Sequence, residues 1–539
     1  MEEGSKKEIN LDSVLESLGP YGKYNILNFV LLLYPVLLSA FFECGFIFEA
    51  RETLYRCEVN GCEQRFNDTS WLNYTIPLDH DRNIPEKCSR YTPLVEDVGN
   101  LQCIPEEFDT NKTVPCTSYV YEPGESFVKE FNLGCQEWRR ALVGTVHNSG
   151  MFAAMLFTGA ISDRYGRKVA VGLASTACFI FGVARAFAPD YITYLVLHFL
   201  EAGFGGGLYP SAYVLSVELV SLKQRVFVSA MCNMTFVIGV VILAVLAWFV
   251  DNWRTYVLLL YTPAIIAAGY VWFMNESARW LLSKGRKDEA ITILRKAAKI
   301  NKLDPKQLDL GALGDPLLKA ESQRVDKRSQ FSLALRSSII WKRVLICSFL
   351  WMTCSLVYYG LSINAVSLSG NRYVSFMLVT LVEIPAYVVV VVVLDKYGRK
   401  RTLIVTFVTC AATSLLFAFL PNAQWWSTAL YLVGKWAVTL AYSSVYIYVS
   451  EVFPTNMRQT LISVCSTSGR VGSLVAPLTP LLTYYHKSMP TVIFGAMCLI
   501  SSTLVFMLPE TRNMRLPDTI QEAEELSTMK KVHSSNDMT

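Results

Sequence analysis

Two ionisable side chains sit inside stretches that are otherwise apolar enough to cross a bilayer. Arg470 lies in Ser468-Gly469-Arg470-Val471-Gly472, where the flanking glycines would leave room around a guanidinium. Glu383 lies in Val382-Glu383-Ile384-Pro385-Ala386-Tyr387, beside a proline that frees a backbone carbonyl. Each charge would cost about 2.5 to 3.5 kcal/mol at the centre of a membrane helix, so such groups face an aqueous cavity. The chemistry on offer is therefore ion recognition, and a Glu383 to Arg470 ion pair inside the bundle is the alternative. His147, His198 and Glu201 also fall in apolar runs. Histidine titrates near neutral pH and membrane acids relay protons, but a structural hydrogen bond is the expected role of all three, with proton coupling second.

A second group of charges is spaced by repetition. Gly159-Ala-Ile-Ser-Asp-Arg-Tyr-Gly-Arg-Lys168 returns as Leu394-Asp-Lys-Tyr-Gly-Arg-Lys400. A shift of 232 to 234 positions carries Asp163 onto Asp395, Glu218 and Arg225 onto Glu451 and Arg458, and Glu276 onto Glu510. The chain is thus a duplicated one. Each copy of the motif stands between two apolar runs, which makes it a short hairpin at a membrane face. Asp163, Arg164 and Arg167, with Asp395 and Arg399, lie near helix ends, and Glu218 with Arg225 and Glu451 with Arg458 are expected roughly on one helical side. Together they can form charge networks that hold the two halves together at the cytoplasmic face and must part when that face opens.

The elements that position these groups are membrane helices. Of 539 residues 52% are hydrophobic and only 17% charged, which is too apolar for a soluble protein of this size. About twelve apolar runs are long enough to span a hydrocarbon core of about 30 Å, six on each side of a basic central segment. The first run, Ile26 to Phe48, is longer than a signal-peptide core and reads as the first span. The expected organisation is a cytoplasmic tail at 1–25, a six-helix half at 26–274, a cytoplasmic linker at 275–343, a second half at 344–508 and a cytoplasmic tail at 509–539. Residues 49–138 form an outer loop, because the linker and both hairpins are rich in Lys and Arg and so lie inside.

That loop holds Cys57, Cys62, Cys88, Cys103, Cys116 and Cys135, six of the fourteen cysteines, and predicts three disulfides with fifteen possible pairings. It also holds three glycosylation acceptors, Asn67, Asn73 and Asn111, and is a candidate surface for self-association. In the linker, 288–302 places Ala290, Ile293, Leu294 and Ala297 on one helical face, an amphipathic helix against the bundle or the lipid surface. No Walker-type loop, metal-ligand pattern or nucleophile elbow occurs, so an ATP-driven pump, a hydrolase and a metal or cofactor enzyme lack support.

The duplicated hairpin resembles the signature of the major facilitator superfamily, whose fold is two pseudo-symmetric six-helix halves around a central cavity. Within it, Glu276-Ser-Ala-Arg-Trp-Leu-Leu-Ser-Lys-Gly-Arg286, Asp251 to Arg254, Leu508-Pro-Glu-Thr511, Leu516-Pro-Asp-Thr-Ile520 and the Cys-rich loop resemble the organic cation, carnitine and organic anion transporter family. The resemblance implies an all-α membrane protein with twelve spans that carries small organic ions across the plasma membrane. It likens Arg470 to the arginine of anion and carnitine carriers, and Glu383 to the acidic site of cation and carnitine carriers. A zwitterion such as a carnitine-like molecule would match both, its carboxylate on Arg470 and its ammonium near Glu383 and aromatic faces. The same resemblance points to Trp351, Tyr358, Tyr359, Tyr442, Tyr446 and Phe236 as substrate contacts, and notes that His198 stands where the superfamily more often has arginine. Organic anion exchange is the main alternative, with a sugar carrier or a non-transporting receptor behind it, and a coupling ion, sodium or proton, is left open.

Overall fold

In the computed structural model the chain is described except at residues 1–10, 20–21, 60–61, 64–69, 79–84, 95–102, 222–223, 304–336, 369, 420–423, 455–456, 513, 515–516, 518–519 and 526–539. The acceptor Asn67, nearly half of the linker and part of the Leu516 to Ile520 motif therefore lie outside the described residues.

The first half comprises span 1 (Lys23–Glu49), span 2 (Glu137–Tyr165), span 3 (Arg167–Arg185), span 4 (Tyr191–Gly205 and Leu208–Glu218), span 5 (Arg225–Phe249) and span 6 (Trp253–Phe273). The second half repeats it with span 7 (Ser338–Asn364), span 8 (Arg372–Tyr397), span 9 (Arg399–Phe419), span 10 (Gln424–Val452), span 11 (Arg458–Val475, continued as a 3₁₀ helix over Ala476–Tyr484) and span 12 (Met489–Phe506). Nine of these are long and apolar enough to cross a membrane. The other three are spans 2, 4 and 10, which carry His147, His198 with Glu201, and a lysine, Lys435. The chain is a multi-pass membrane protein.

Prolines set the breaks. Pro385 has no N–H to give to the carbonyl of Leu381, and span 8 breaks between Leu381 and Glu383. Pro210 withholds the same bond from Gly206, where span 4 breaks. Polar caps mark the ends near the cysteine-rich loop: Asp190 accepts from the Ile192 and Thr193 amides at 3.0 and 2.9 Å, and Asn252 accepts from the Arg254 amide at 2.9 Å.

The loop is stapled by Cys57–Cys116, Cys62–Cys103 and Cys88–Cys135. Strand Tyr55–Cys57 pairs antiparallel with Tyr119–Tyr121, and Ser89–Pro93 with Phe108–Pro115, over a small core of Trp71, Ile76 and Phe108. Asn73 and Asn111 are exposed. The other eight cysteines are unpaired thiols.

At the opposite, turn-bearing face a small layer covers the first half. Helix Lys287–Ile300 buries Ala290, Leu294, Ala297 and Ala298 against a helix in the tail, Leu11–Ser17, and against Trp280 and Leu281. The amphipathic face found in the sequence thus meets protein. Asn301 closes the layer, accepting from the Tyr24 amide at 2.8 Å and donating to the Leu18 carbonyl at 2.9 Å.

The halves meet near the loop face. Phe48 stacks on Tyr373 at 5.6 Å, Trp248 stacks on it at 5.8 Å, and Arg51 donates to its hydroxyl at 2.9 Å. Gly144 abuts Pro477 so closely that a Cβ there would lie 2.8 Å from the proline.

Candidate functional site

Between the halves an aromatic wall forms on spans 7 and 10. Trp351, Tyr358 and Tyr359 share a face of span 7 at helical spacing, and Tyr442 and Tyr446 lie one turn apart on span 10. Tyr358 is edge-on to Tyr359 at 5.2 Å and stacks on Tyr442 at 5.7 Å, while Trp351 is edge-on to Tyr446 at 5.1 Å. Five of the six aromatics expected from the sequence are thereby brought into one cluster. Phe236 stands apart on span 5, edge-on to Tyr209 at 5.6 Å. Tyr209 is itself within electrostatic reach of Glu43 and Tyr446.

Span 11 lies against this wall because of its glycines. A Cβ on Gly469 would sit 2.5 Å from the Trp351 ring, and one on Gly472 would sit 2.3 Å from the Met352 carbonyl. The glycines therefore serve helix approach rather than space around the guanidinium. Arg470 crosses to the other half, its Nε 3.2 Å from the Met155 sulfur, with Tyr359 and Glu43 facing it. The Tyr359 hydroxyl donates to the Glu43 carboxylate of span 1 at 2.7 Å, a bond that also joins the halves.

Glu383 and Arg470 do not pair, and Glu383 is not an open charge. Its partner is Lys435 of span 10 at 2.9 Å, both side chains at most 4% exposed. Tyr358 donates to Glu383 at 2.7 Å and Tyr387 lies at 3.4 Å. The Lys435 ammonium also donates to Ser362 at 2.7 Å and lies 3.3 Å from the centre of the Tyr358 ring. A buried charge with its counter-ion and hydrogen bonds in place is tolerated where a lone one is not.

The turn-face charges pair within each half. Arg167 reaches Asp163 at 2.5 Å and Glu218 at 3.4 Å, and Arg399 reaches Glu451 at 2.9 Å and Asp395 at 3.8 Å. Arg225 lies 4.0 Å from Asp12 instead of Glu218, and Arg458 has two guanidinium nitrogens without a hydrogen bond. The expectation that Glu218 and Arg225 share a helical side fails because span 4 ends at Glu218 and span 5 begins at Arg225; Glu451 and Arg458 flank a turn in the same way. Arg164 is exposed over Tyr165, 5.5 Å from its ring. Among the described residues no ion pair joins the halves at this face. Glu276 and Glu510 cap spans 3 and 9, each accepting from two successive backbone amides, Arg167 and Lys168 in one case and Arg399 and Lys400 in the other. Gly166 at φ +110° and Gly398 at φ +90° turn the chain into those caps.

The Major Facilitator Superfamily profile matches residues 136–477 and 355–537. The chain belongs to the major facilitator superfamily. Within that superfamily it falls among the organic cation transporter and solute carrier family 22 proteins. It is 33% identical to the organic cation transporter protein of Drosophila melanogaster over 95% of this chain and 94% of that protein. It is 32% identical to solute carrier family 22 member 1 of Bos taurus over 96% and 93%. Among solved structures it resembles the E. coli xylose transporter XylE in a partially occluded inward-open conformation, with TM-score 0.57, 14% identity, and coverage of 92% of this chain and 100% of that one. That likeness concerns the fold.

Sequence reasoning missed several charged groups that this superfamily member holds between its spans. Lys435 and Glu43 were visible as single charges in apolar runs, in Gly434-Lys435-Trp436 and Phe42-Glu43-Cys44. Glu49 and Arg185 sit at the ends of their spans, where a charge ordinarily signals an interface. Here they are sealed with His198 and Glu201, and Arg185 bonds His198, bringing an arginine to the position where histidine stands in its place.

Proposed function

We propose that this carrier moves small organic ions across the plasma membrane by alternating access, with zwitterions and organic cations as its solutes. The observation that carries the reading is the meeting of Arg470, Tyr359 and Glu43 between the two halves, against the aromatic wall. A zwitterion would place its carboxylate on the Arg470 fork and its ammonium toward Glu43 and the faces of Tyr359, Tyr442 and Tyr446. The acid is then Glu43, while Glu383 holds Lys435 and Tyr358 in place. The names of the organic cation transporter relatives support this class of solute. A cavity of about 20 Å³ within the first half, lined by Glu43, Tyr209, Met151 and His147, has room for a water and no organic solute. In the proposed orientation the turns and both termini face the cytoplasm, Asn67, Asn73 and Asn111 face outward, and Asp163, Arg164, Arg167, Glu218, Arg225, Asp395, Arg399, Glu451 and Arg458 brace each half's turn as the face opens.

A second reading, organic anion exchange, is favoured by the Glu383–Lys435 bond, which removes one acid and leaves Arg470 as an available cation. Uptake by cells expressing the full chain separates the two, using carnitine, tetraethylammonium and glutarate. Arg470→Ala is expected to lower carnitine uptake about tenfold, the worth of one charge-assisted hydrogen bond, while sparing tetraethylammonium. Glu43→Gln should depress tetraethylammonium. Glutarate uptake lost in Arg470→Ala and untouched in Glu43→Gln establishes the anion reading instead, and absence of saturable uptake of all three sinks both.

A further inference from the structure

Away from the aromatic wall, a second set of ionisable groups is sealed among spans 1 to 4. Glu49, His147, Arg185, His198 and Glu201 are each at most 1% exposed. Their bonds leave one charge over. Glu49 is fully engaged, accepting from Arg185 at 2.8 Å and from the Tyr194 hydroxyl at 2.6 Å. Arg185 also donates to Nδ1 of His198, which uses that lone pair and leaves the ring neutral with its proton on Nε2. Glu201 is the surplus acid. Its Oε2 accepts no hydrogen bond and lies 3.8 Å from Arg185, 3.8 Å from Nδ1 of His147 and 3.4 Å from Nδ1 of His198. Both ring nitrogens of His147 lack a hydrogen bond as well, so the structural bond expected there is missing. Cys178 of span 3 touches the other carboxylate oxygen at 3.8 Å, and Tyr261 of span 6 faces it.

One arginine against two carboxylates leaves the cluster a unit negative in a buried interior, and one bound proton makes it neutral. The site can exchange that proton, because His147 and Glu201 line the cavity of about 20 Å³, which has room for a water and extends to Glu43. A divalent cation is the poorer occupant of the His147, His198 and Glu201 triad, since it would stand beside the fixed charge of Arg185.

We infer that Glu201, with His147 beside it, is a proton-binding site whose proton travels with the organic ion. The inference rests on the carrier reading above. In each cycle the carboxylate takes a proton from cavity water on one side, becomes a neutral acid, and returns the proton to water on the other, with no change in redox state. Discharging Glu201 removes its repulsion of Glu43 across the shared cavity, and so acts on the hydrogen bond to Tyr359 that joins the halves.

Two measurements on the purified full chain test this. Infrared difference spectroscopy across a pH titration reads the proton site without transport: a protonated-carboxyl band is expected in the parent, lost in Glu201→Gln, and moved by about half a pH unit or more in His147→Gln. A band unchanged in both variants overturns the site. In proteoliposomes, an inward proton gradient should raise tetraethylammonium or carnitine uptake about fivefold or more, and Glu201→Gln should abolish that stimulation while keeping counterflow exchange. A gradient without effect on the parent, or with equal effect on Glu201→Gln, overturns the coupling. If no probe moves even by counterflow, the carrier reading fails, and the infrared band alone decides whether Glu201 binds the proton.

Discussion

At the turn face, the first half ties Arg167 to Glu218 and Asp163 and caps span 3 with Glu276; the second half ties Arg399 to Glu451 and Asp395 and caps span 9 with Glu510. In the buried charges between the spans the halves diverge. The first half seals a five-membered network of Glu49, Arg185, His198, Glu201 and His147, and the second holds a two-membered pair, Glu383–Lys435, beside an aromatic wall. The duplicated fold has thus kept the parts that shape a tight turn, where backbone geometry admits few solutions. It has let the buried charges differ, because any self-consistent arrangement satisfies the interior.

The strongest test of that contrast removes a cation from each interior. Arg185→Met and Lys435→Met each strand a carboxylate, and each should cost about 3 to 5 kcal/mol, read as lost yield and a lower melting temperature in detergent. The paired substitutions then separate the halves. Glu383→Gln with Lys435→Met should recover most of the loss, since that pair is self-contained, whereas Glu49→Gln with Arg185→Met should recover less, since His198 loses its donor and Glu201 loses the guanidinium 3.8 Å away. Equal recovery in both doubles would erase the distinction.

The next test probes the shared turn. A Cβ at Gly166 would meet the Glu276 carboxylate at 2.2 Å and one at Gly398 would meet Glu510 at 2.8 Å, both at positive φ. Each alanine substitution should cost about 1 to 3 kcal/mol, with Gly166→Ala the worse. A Gly166→Ala protein that melts with the parent would show that the turn tolerates other geometries. Smaller still, Glu276→Gln and Glu510→Gln should each weaken a helix cap by about 1 kcal/mol, and by matching amounts if the halves are equivalent here. Thermal melts of the two variants that differ widely would argue against equivalence. Least of all, Asp163→Asn and Asp395→Asn remove exposed partners and should change melting by well under about 1 kcal/mol, so any slowing of uptake in them reports on motion and not on folding.

Much of the plan is readable in the sequence. An apolar run of helical length has few alternatives in a bilayer, and a repeated Gly-Arg-Lys turn at one offset marks a duplication. The capping acids at 276 and 510 were found by that offset, although their role emerged only when their carboxylates met the amides of spans 3 and 9. The aromatic wall was legible only through the family resemblance, which pointed to residues 351, 358, 359, 442 and 446; their mutual ring contacts came with the fold. The gate pairing was misread because seven residues were taken as two turns of one helix, when a chain reversal lay between them.

By itself the sequence determined the number of spans, their duplication, the glycine turns and the six loop cysteines, all of which follow from local period, composition and backbone freedom. Only the tertiary structure decided which cysteines join and which charges are answered. Glu49 and Arg185 are 136 residues apart, and Glu43 and Tyr359 are 316 apart. Helical periodicity says which face of a span a side chain occupies. It does not say which span will pack there, because that choice depends on long-range helix packing, and so the same acid can be an open site or a neutralised strut.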